Sequence, residues 1–175
     1  MTRHLPSLCL LLGLACGAQP SGTADGGAAL IADFEARHAR AQRELAVAPD
    51  EEARYDALAQ AFVGRALTQR FRRAQAVARR LEKDHATLVL DEVTHDRVEI
   101  LGADAQGVQV EATWRMRGSL LHSGHIHPRH LRAIARFRLE PGEDGWRIAA
   151  VIPVDWQELP AAAPTPAVPP TPDLR

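Results

Sequence analysis

The sequence predicts an α+β fold in which N-terminal helices pack on a bent antiparallel β-sheet. Three observations carry that expectation. Apolar residues recur at helical spacing as far as Leu81, and from Thr87 onward the period changes to two. A hairpin register tried around Ser123-Gly124 then sets apolar residues opposite apolar residues at every inward position.

In chain order, Met1-Thr-Arg-His precedes the apolar run Leu8–Ala15 and a set of small residues, the pattern of a signal peptide over 1–18 and too short for a permanent span. Within it Leu12-Gly-Leu-Ala-Cys16 resembles a bacterial lipobox, which predicts lipidation of Cys16 and a lipoprotein on the periplasmic side of a membrane, expected to be the outer membrane. The alternative is ordinary cleavage after Ala18. Both cysteines, Cys9 and Cys16, fall in this leader, so an exported domain has no internal disulfide and must be held by its core. The chain has 21 Lys and Arg against 22 Asp and Glu, and removal of Arg3 with the leader leaves a formal net charge of -2. That balance excludes a bulk attraction to nucleic acid. Residues 17–27 are Gly-rich and read as a flexible linker, 28–159 as one domain, and 160–175 as a Pro- and Ala-rich disordered tail.

Leu30, Ile31, Phe34, Ala41 and Leu45 mark the first helix, with Glu35, Arg37, Arg40 and Arg43 on its other side. Asp50 is the expected N-cap of a second, whose buried stripe is Tyr55, Leu58, Ala59, Phe62 and Val63; Gly64 ends or kinks it. A third carries Leu67, Phe71, Ala74, Val77, Ala78 and Leu81 opposite a basic side of Arg70, Arg72, Arg73, Arg79, Arg80 and Lys83, read as a solvated face rather than a lipid-binding one. A strand through Val98 and Ile100 starts the sheet. Val108–Met116 and Ala133–Leu139 follow as alternating strands, with Trp114, Ala112, Val110 and Val108 opposite Ala133, Ala135, Phe137 and Leu139, and Glu111 beside Arg136. A turn at Pro141–Gly145 is expected to match Phe137 with Ile148 and Ala135 with Ala150 in a last strand of inward Trp146, Ile148, Ala150 and Ile152. Arg115, Arg117, Arg132, Arg136, Arg138 and Arg147 then share the outward face with Ile134 and Val151, and Arg115 faces Arg132. Such a face suits a homodimer or an acidic envelope partner, with plain solvation the simpler alternative.

The chemistry concentrates in Leu120–His130, which contains His122, His125, His127 and His130 among the eight histidines of the chain. In the trial register His122, His125 and His127 share one face, with opposed Cβ atoms roughly 5 Å apart. That spacing permits a Zn, Cu or Ni site with an open position for water, and hence a metal-dependent hydrolase. The plainer alternative is a structural or partner-binding hairpin. Acid–base catalysis by His125 or His127 with Asp96 or Asp155 has no spacing to select it. No Gly-x-Ser-x-Gly, phosphate-binding glycine loop or His-Glu-x-x-His is present in the sequence, and it has one tyrosine. Trp114 and Met116 read as core. A non-catalytic binding or assembly module is the favoured reading.

Helices followed by a long meander that closes on Gly145-Trp-Arg-Ile148 look like the NTF2-like (cystatin-like) architecture, which implies a concave sheet face roofed by helices above a pocket. At the motif level, Trp114-x3-Gly118-Ser119-x2-His122-x-Gly124-His125-x-His127-x-Arg129 resembles the core of an uncharacterised bacterial family of exported or membrane-tethered proteins, and Tyr55–Ala59 is similar to its flanking segment. The resemblance implies that Trp114, Gly118, Ser119, His122, Gly124, His125, His127 and Arg129 form the characteristic site.

Overall fold

The computed structural model describes residues 24–160, so the expected leader with Cys16, the start of the linker and the tail past Pro160 lie outside the described residues. Three helices, α1 (Ala24–Val47), α2 (Glu51–Ala59) and α3 (Gly64–Lys83), precede four strands, β1 (Ala86–Asp104), β2 (Gly107–His122), β3 (His125–Gly142) and β4 (Gly145–Leu159). The strands form one open antiparallel sheet in the order β1-β2-β3-β4, the expected α+β arrangement. No described helix is long and apolar enough to cross a membrane.

Each helix start has a local cause. α1 reaches back into the expected linker, with Asp25 in its first turn, where a carboxylate suits the positive end of the helix dipole. Asp50 caps α2 as expected, its side chain accepting from the Ala53 N–H at 2.9 Å. Gly64 begins α3 rather than ending α2. Its φ of +53° turns the chain after Ala61-Phe62-Val63, which lies against the outer edge of β4: Ile148 N–H donates to Ala61 O at 2.7 Å and Val63 N–H to Ile148 O at 3.0 Å. Because α2 stops at Ala59, its buried side is Ala57 and Leu58, continued by Ala61 and Phe62. Tyr55, expected in that stripe, is 45 % exposed and instead stacks edge-on against Phe71 at 5.3 Å. Arg70, expected on the solvent side of α3, sits with its guanidinium 5.5 Å above the Phe62 ring.

The β2–β3 register is the expected one. Trp114, Ala112, Val110 and Val108 pair with Ala133, Ala135, Phe137 and Leu139, and the strands reverse through Ser123 (φ +50°) and Gly124 (φ +80°) with His122 opposite His125. β1 is longer than the segment through Val98 and Ile100 and follows β2 through three register shifts.

The β3–β4 register differs from the expectation. The turn is only Glu143-Asp144, closed by Gly142 opposite Gly145, so Leu139 meets Ile148; a bulge then brings Phe137 opposite Val151. α1 enforces this tight turn. Asp33 accepts from Arg37 Nε and from Trp146 N–H, both at 2.8 Å, and Arg37 also donates to Asp144 O. A Cβ on Gly145 would lie 2.6 Å from the Asp33 carboxylate. After the bulge Val151 packs against the core, while Ile152, expected inward, is 63 % exposed. Arg147 reaches Ala59 O at 2.7 Å instead of joining the outward arginines.

Phe34, Leu58, Phe62, Val110, Phe137, Leu139 and Ile148 are the buried centre between helices and sheet. Gly118, from the histidine motif, has a backbone role there. A Cβ on it would run into the carbonyl oxygen of Val89, because β1 approaches closely where it shifts register between Leu90 and Glu92. We predict that Gly118→Ala lowers the unfolding free energy by about 2–3 kcal/mol through this clash. Gly102→Ala, with nothing within 4 Å of the new methyl, should change it by under about 0.5 kcal/mol. Chemical denaturation of both variants measures the contrast.

Candidate functional site

The expected site residues separate along β2 and β3 into three environments. Trp114 is core, 8 % exposed, with Phe137 at 5.7 Å. Gly118 and the half-buried Ser119 lie in the paired body of the sheet, and Gly124 supplies the left-handed turn residue. His122, His125 and His127 are exposed at the tip, and Arg129 is half-buried and ion-paired with Glu158 of β4. The observed register puts Leu120, His122, His125, His127 and Arg129 on the face that carries Trp114. The tip thus continues the helix-facing side of the sheet beyond the helices.

His125 and His127 have ring centroids 6.3 Å apart at 49°, and His122 Nε2 lies 3.4 Å from the neighbouring Ser123 hydroxyl. Among the described residues, no three His, Cys, Asp or Glu side chains are disposed to hold a metal ion. Of the carboxylates considered as partners, Asp96 is engaged by Arg115 at 2.7 Å beside the Trp114 level of the sheet, and Asp155 lies opposite Ile134. Neither stands at the tip.

A cleft does form there. The last turns of α3 rise over the tip, leaving a space of ≈ 560 Å³ lined by Val77, Leu81, Ala86 and Leu120 with Arg80, Asp84, His122 and Arg129. Four of the lining residues are apolar and four are charged or polar, in an open groove whose volume lies in the range of small-ligand sites. Val77 is 50 % exposed because this end of α3 overhangs the cleft rather than sealing against the sheet.

Sequence reasoning missed a second histidine cluster, which is in the core. His38 of α1 is 1 % exposed and stacks parallel to Phe34 at 5.7 Å, with Trp114 edge-on at 5.0 Å and Phe137 at 5.4 Å. Its Nδ1 lies 3.0 Å from His95 Nε2 of β1, and Gln42 Nε2 lies 3.3 Å from its Nε2. The Gln42 amide donates to His38 Nε2, so His38 carries its proton on Nδ1 and donates to His95. Burial pushes both imidazoles down. His38 falls well below 6.5, aided by the charges of His95 and Arg70, and His95 falls to about 4 despite the opposing pull of Asp96. Both are neutral at pH 7. The signal for His38 was present, since it follows Phe34 by four residues on the apolar stripe of α1; His95 gave none, because it lies on an irregular strand.

Four of the outward arginines are matched within the sheet, and exposed Arg132 has no ion pair among the described residues. Arg115 pairs with Asp96 at 2.7 Å, Arg117 with Glu92 at 3.3 Å, Arg136 with Glu111 at 2.9 Å and Arg138 with Asp104 at 2.8 Å. The Arg115–Arg132 apposition is therefore offset by Asp96 from the neighbouring strand.

No protein-family model and no curated protein matches the chain. Among solved structures it is similar to the crystal structure of the intermembrane space region of chloroplast protein ARC6, with 20 % identity and a TM-score of 0.49, over 77 % of this chain and 98 % of that one.

The folded pKa of His38 lies well below the ordinary 6.5 and that of His95 at about 4, so the unfolded chain binds more protons in the window that opens below 6.5. Stability is full above pH 6.5 and falls as pH drops through that window. Melting temperature against pH should show this decline. His38→Leu, which removes the more deeply buried titrating ring, should flatten it while lowering stability at pH 7, because His95 and Gln42 lose their partner.

Proposed function

We propose that this chain is an exported, lipid-anchored cell-envelope protein acting as a non-catalytic binding or assembly module. Its binding site is the cleft between the C-terminal end of α3 and the β2–β3 tip. The observation that carries the reading is that His122 and Arg129 line an open cleft of ≈ 560 Å³ together with Val77, Leu81 and Leu120, while Trp114, Gly118 and Gly124 serve packing, close approach and the turn. The arrangement favours binding over acid–base chemistry. The neutral His38–His95 pair is enclosed by Phe34, Trp114 and Phe137, and the tip histidines have no carboxylate oriented toward them among the described hydrogen bonds. The lipobox-like Leu12–Cys16 supports the anchor.

Two measurements test the two parts. In cells fed radiolabelled palmitate, the wild-type chain should take up label and fractionate with membranes, and Cys16→Ser should do neither; an unlabelled wild-type chain would remove the anchor. For the cleft, the apolar fluorophore 8-anilinonaphthalene-1-sulfonate should bind the folded chain at pH 7. Leu120→Arg, a half-buried wall position, should weaken that binding by about tenfold or more, equivalent to about 1.4 kcal/mol. Equal binding by Leu120→Arg and wild type sinks the cleft assignment.

A further inference from the structure

Most exposed cations of the sheet and most of those of α3 have different surroundings, while exposed Arg132 on the sheet and Arg43 on α1 have no ion pair among the described residues. On the sheet, Arg97, Arg115, Arg117, Arg136 and Arg138 each lie within 3.3 Å of a carboxylate. On α3 the pattern reverses. Arg65, Arg72, Arg73, Arg79 and Lys83 have no ion pair among the described residues, and Arg80 has only a 3.7 Å approach to Asp84. All six are exposed, and the helix contains one acidic residue, Glu82.

These side chains are not scattered around the helix. At about 100° per residue they fall within a stripe roughly 120° wide, and Arg65 to Lys83 spans about 27 Å along the axis. The opposite side, with Leu67, Arg70, Phe71, Ala74 and Leu81, is turned inward and half-buried. Arg79 and Lys83 stand at i,i+4, a like-charge spacing that weakens an isolated helix. A solvated face of ordinary design intersperses acids. This one has none in the stripe, in a chain whose total charge is -1.

We propose that the outer face of α3 docks on an anionic phospholipid surface. The stripe is straight and lies along a single helix, so all of its cations can meet one plane of headgroups together. Val77, 50 % exposed at its border, adds an apolar side chain at the same level. The stripe contains no aromatic side chain for stacking bases, which disfavours single-stranded nucleic acid. With Arg97, Arg115, Arg117, Arg136 and Arg138 of the sheet matched to carboxylates, α3 carries the densest group of cations without a close carboxylate among the described residues. The stripe borders the cleft at Val77 and Arg80, and the variants below leave every cleft-lining residue in place, so the two assignments are tested separately.

The test is partitioning of the full chain carrying Cys16→Ser, so that no lipid can be attached, onto vesicles of phosphatidylcholine alone or with about a third phosphatidylglycerol. Binding should require phosphatidylglycerol and fall with added salt. The triple variant Arg72→Gln, Arg73→Gln, Arg79→Gln should lose about 100-fold in partition coefficient, about fivefold per arginine. The sheet triple Arg115→Gln, Arg136→Gln, Arg138→Gln carries the same charge change and should lose no more than about threefold. Glutamine keeps helix propensity, and circular dichroism verifies that both variants fold. Equal losses in the two triples, or indifference to phosphatidylglycerol, overturn the proposal. So does tighter binding of duplex DNA or polyglutamate than of vesicles at equal salt, which would make the partner another polyanion.

Discussion

The contact on which the domain depends is the hydrogen bond from His38 of α1 to His95 of β1. It joins the helical layer to an edge strand through the most enclosed polar group of the core, with rings of Phe34, Trp114 and Phe137 around it. A buried imidazole without partners destabilises a fold, whereas one with both nitrogens engaged fixes where two elements meet. Gln42 engages the second nitrogen. The pair fixes α1 to β1 at this level of the sheet, where β2 brings Trp114 edge-on against the same ring. The tryptophan that begins the histidine motif thus belongs to the core, while the histidines that end it lie beyond the cover of the helices.

A second constraint acts at the other side of the sheet. Asp33 and Arg37 hold the Glu143-Asp144 turn against α1, and the Phe62 segment pairs with β4 at Ile148. Together they cover the start of β4 and leave its later half as a free edge. That edge is blunted by Pro153, which has no N–H to offer, and by a bulge that sets Val154 out of register between Pro153 and Asp155. Such an edge exposes Ile152, Val154 and Trp156 without presenting a regular ladder to a second strand.

Much of this was legible in the residues, and the failures have physical causes. The β2–β3 pairing follows from period-two alternation around a turn whose Ser-Gly sequence tolerates positive φ, so every inward pair was specified twice, by pattern and by turn. The β3–β4 pairing was specified only by pattern. Its turn length is set by Asp33 more than a hundred positions away, and local sequence carries no trace of that contact. Tyr55 was misplaced because helical periodicity assumes that the helix continues, and α2 ends at Ala59. Arg70 was misplaced because an arginine was assigned to solvent by charge alone, although its stem and guanidinium lie over Phe62. Of the histidine motif, the turn and the shared face were readable. The cleft was not, because it needs the overhang of α3 above strands distant in sequence.

That overhang links the two halves of the functional argument. A sheet whose strands run fifteen to nineteen residues is longer than the helices laid on it can cover, and the register places the uncovered end at the β2–β3 tip. The last turns of α3 pass this end with their inner side only half-buried. Leu81 on its inner side walls the cleft while Arg65, Arg72, Arg73, Arg79 and Lys83 stand on its outer side, and Val77 and Arg80 lie where the two meet. Arg80 belongs to both, since it lines the cleft beside Leu81 and stands in the stripe, so the pocket and the charged surface meet along this end of α3.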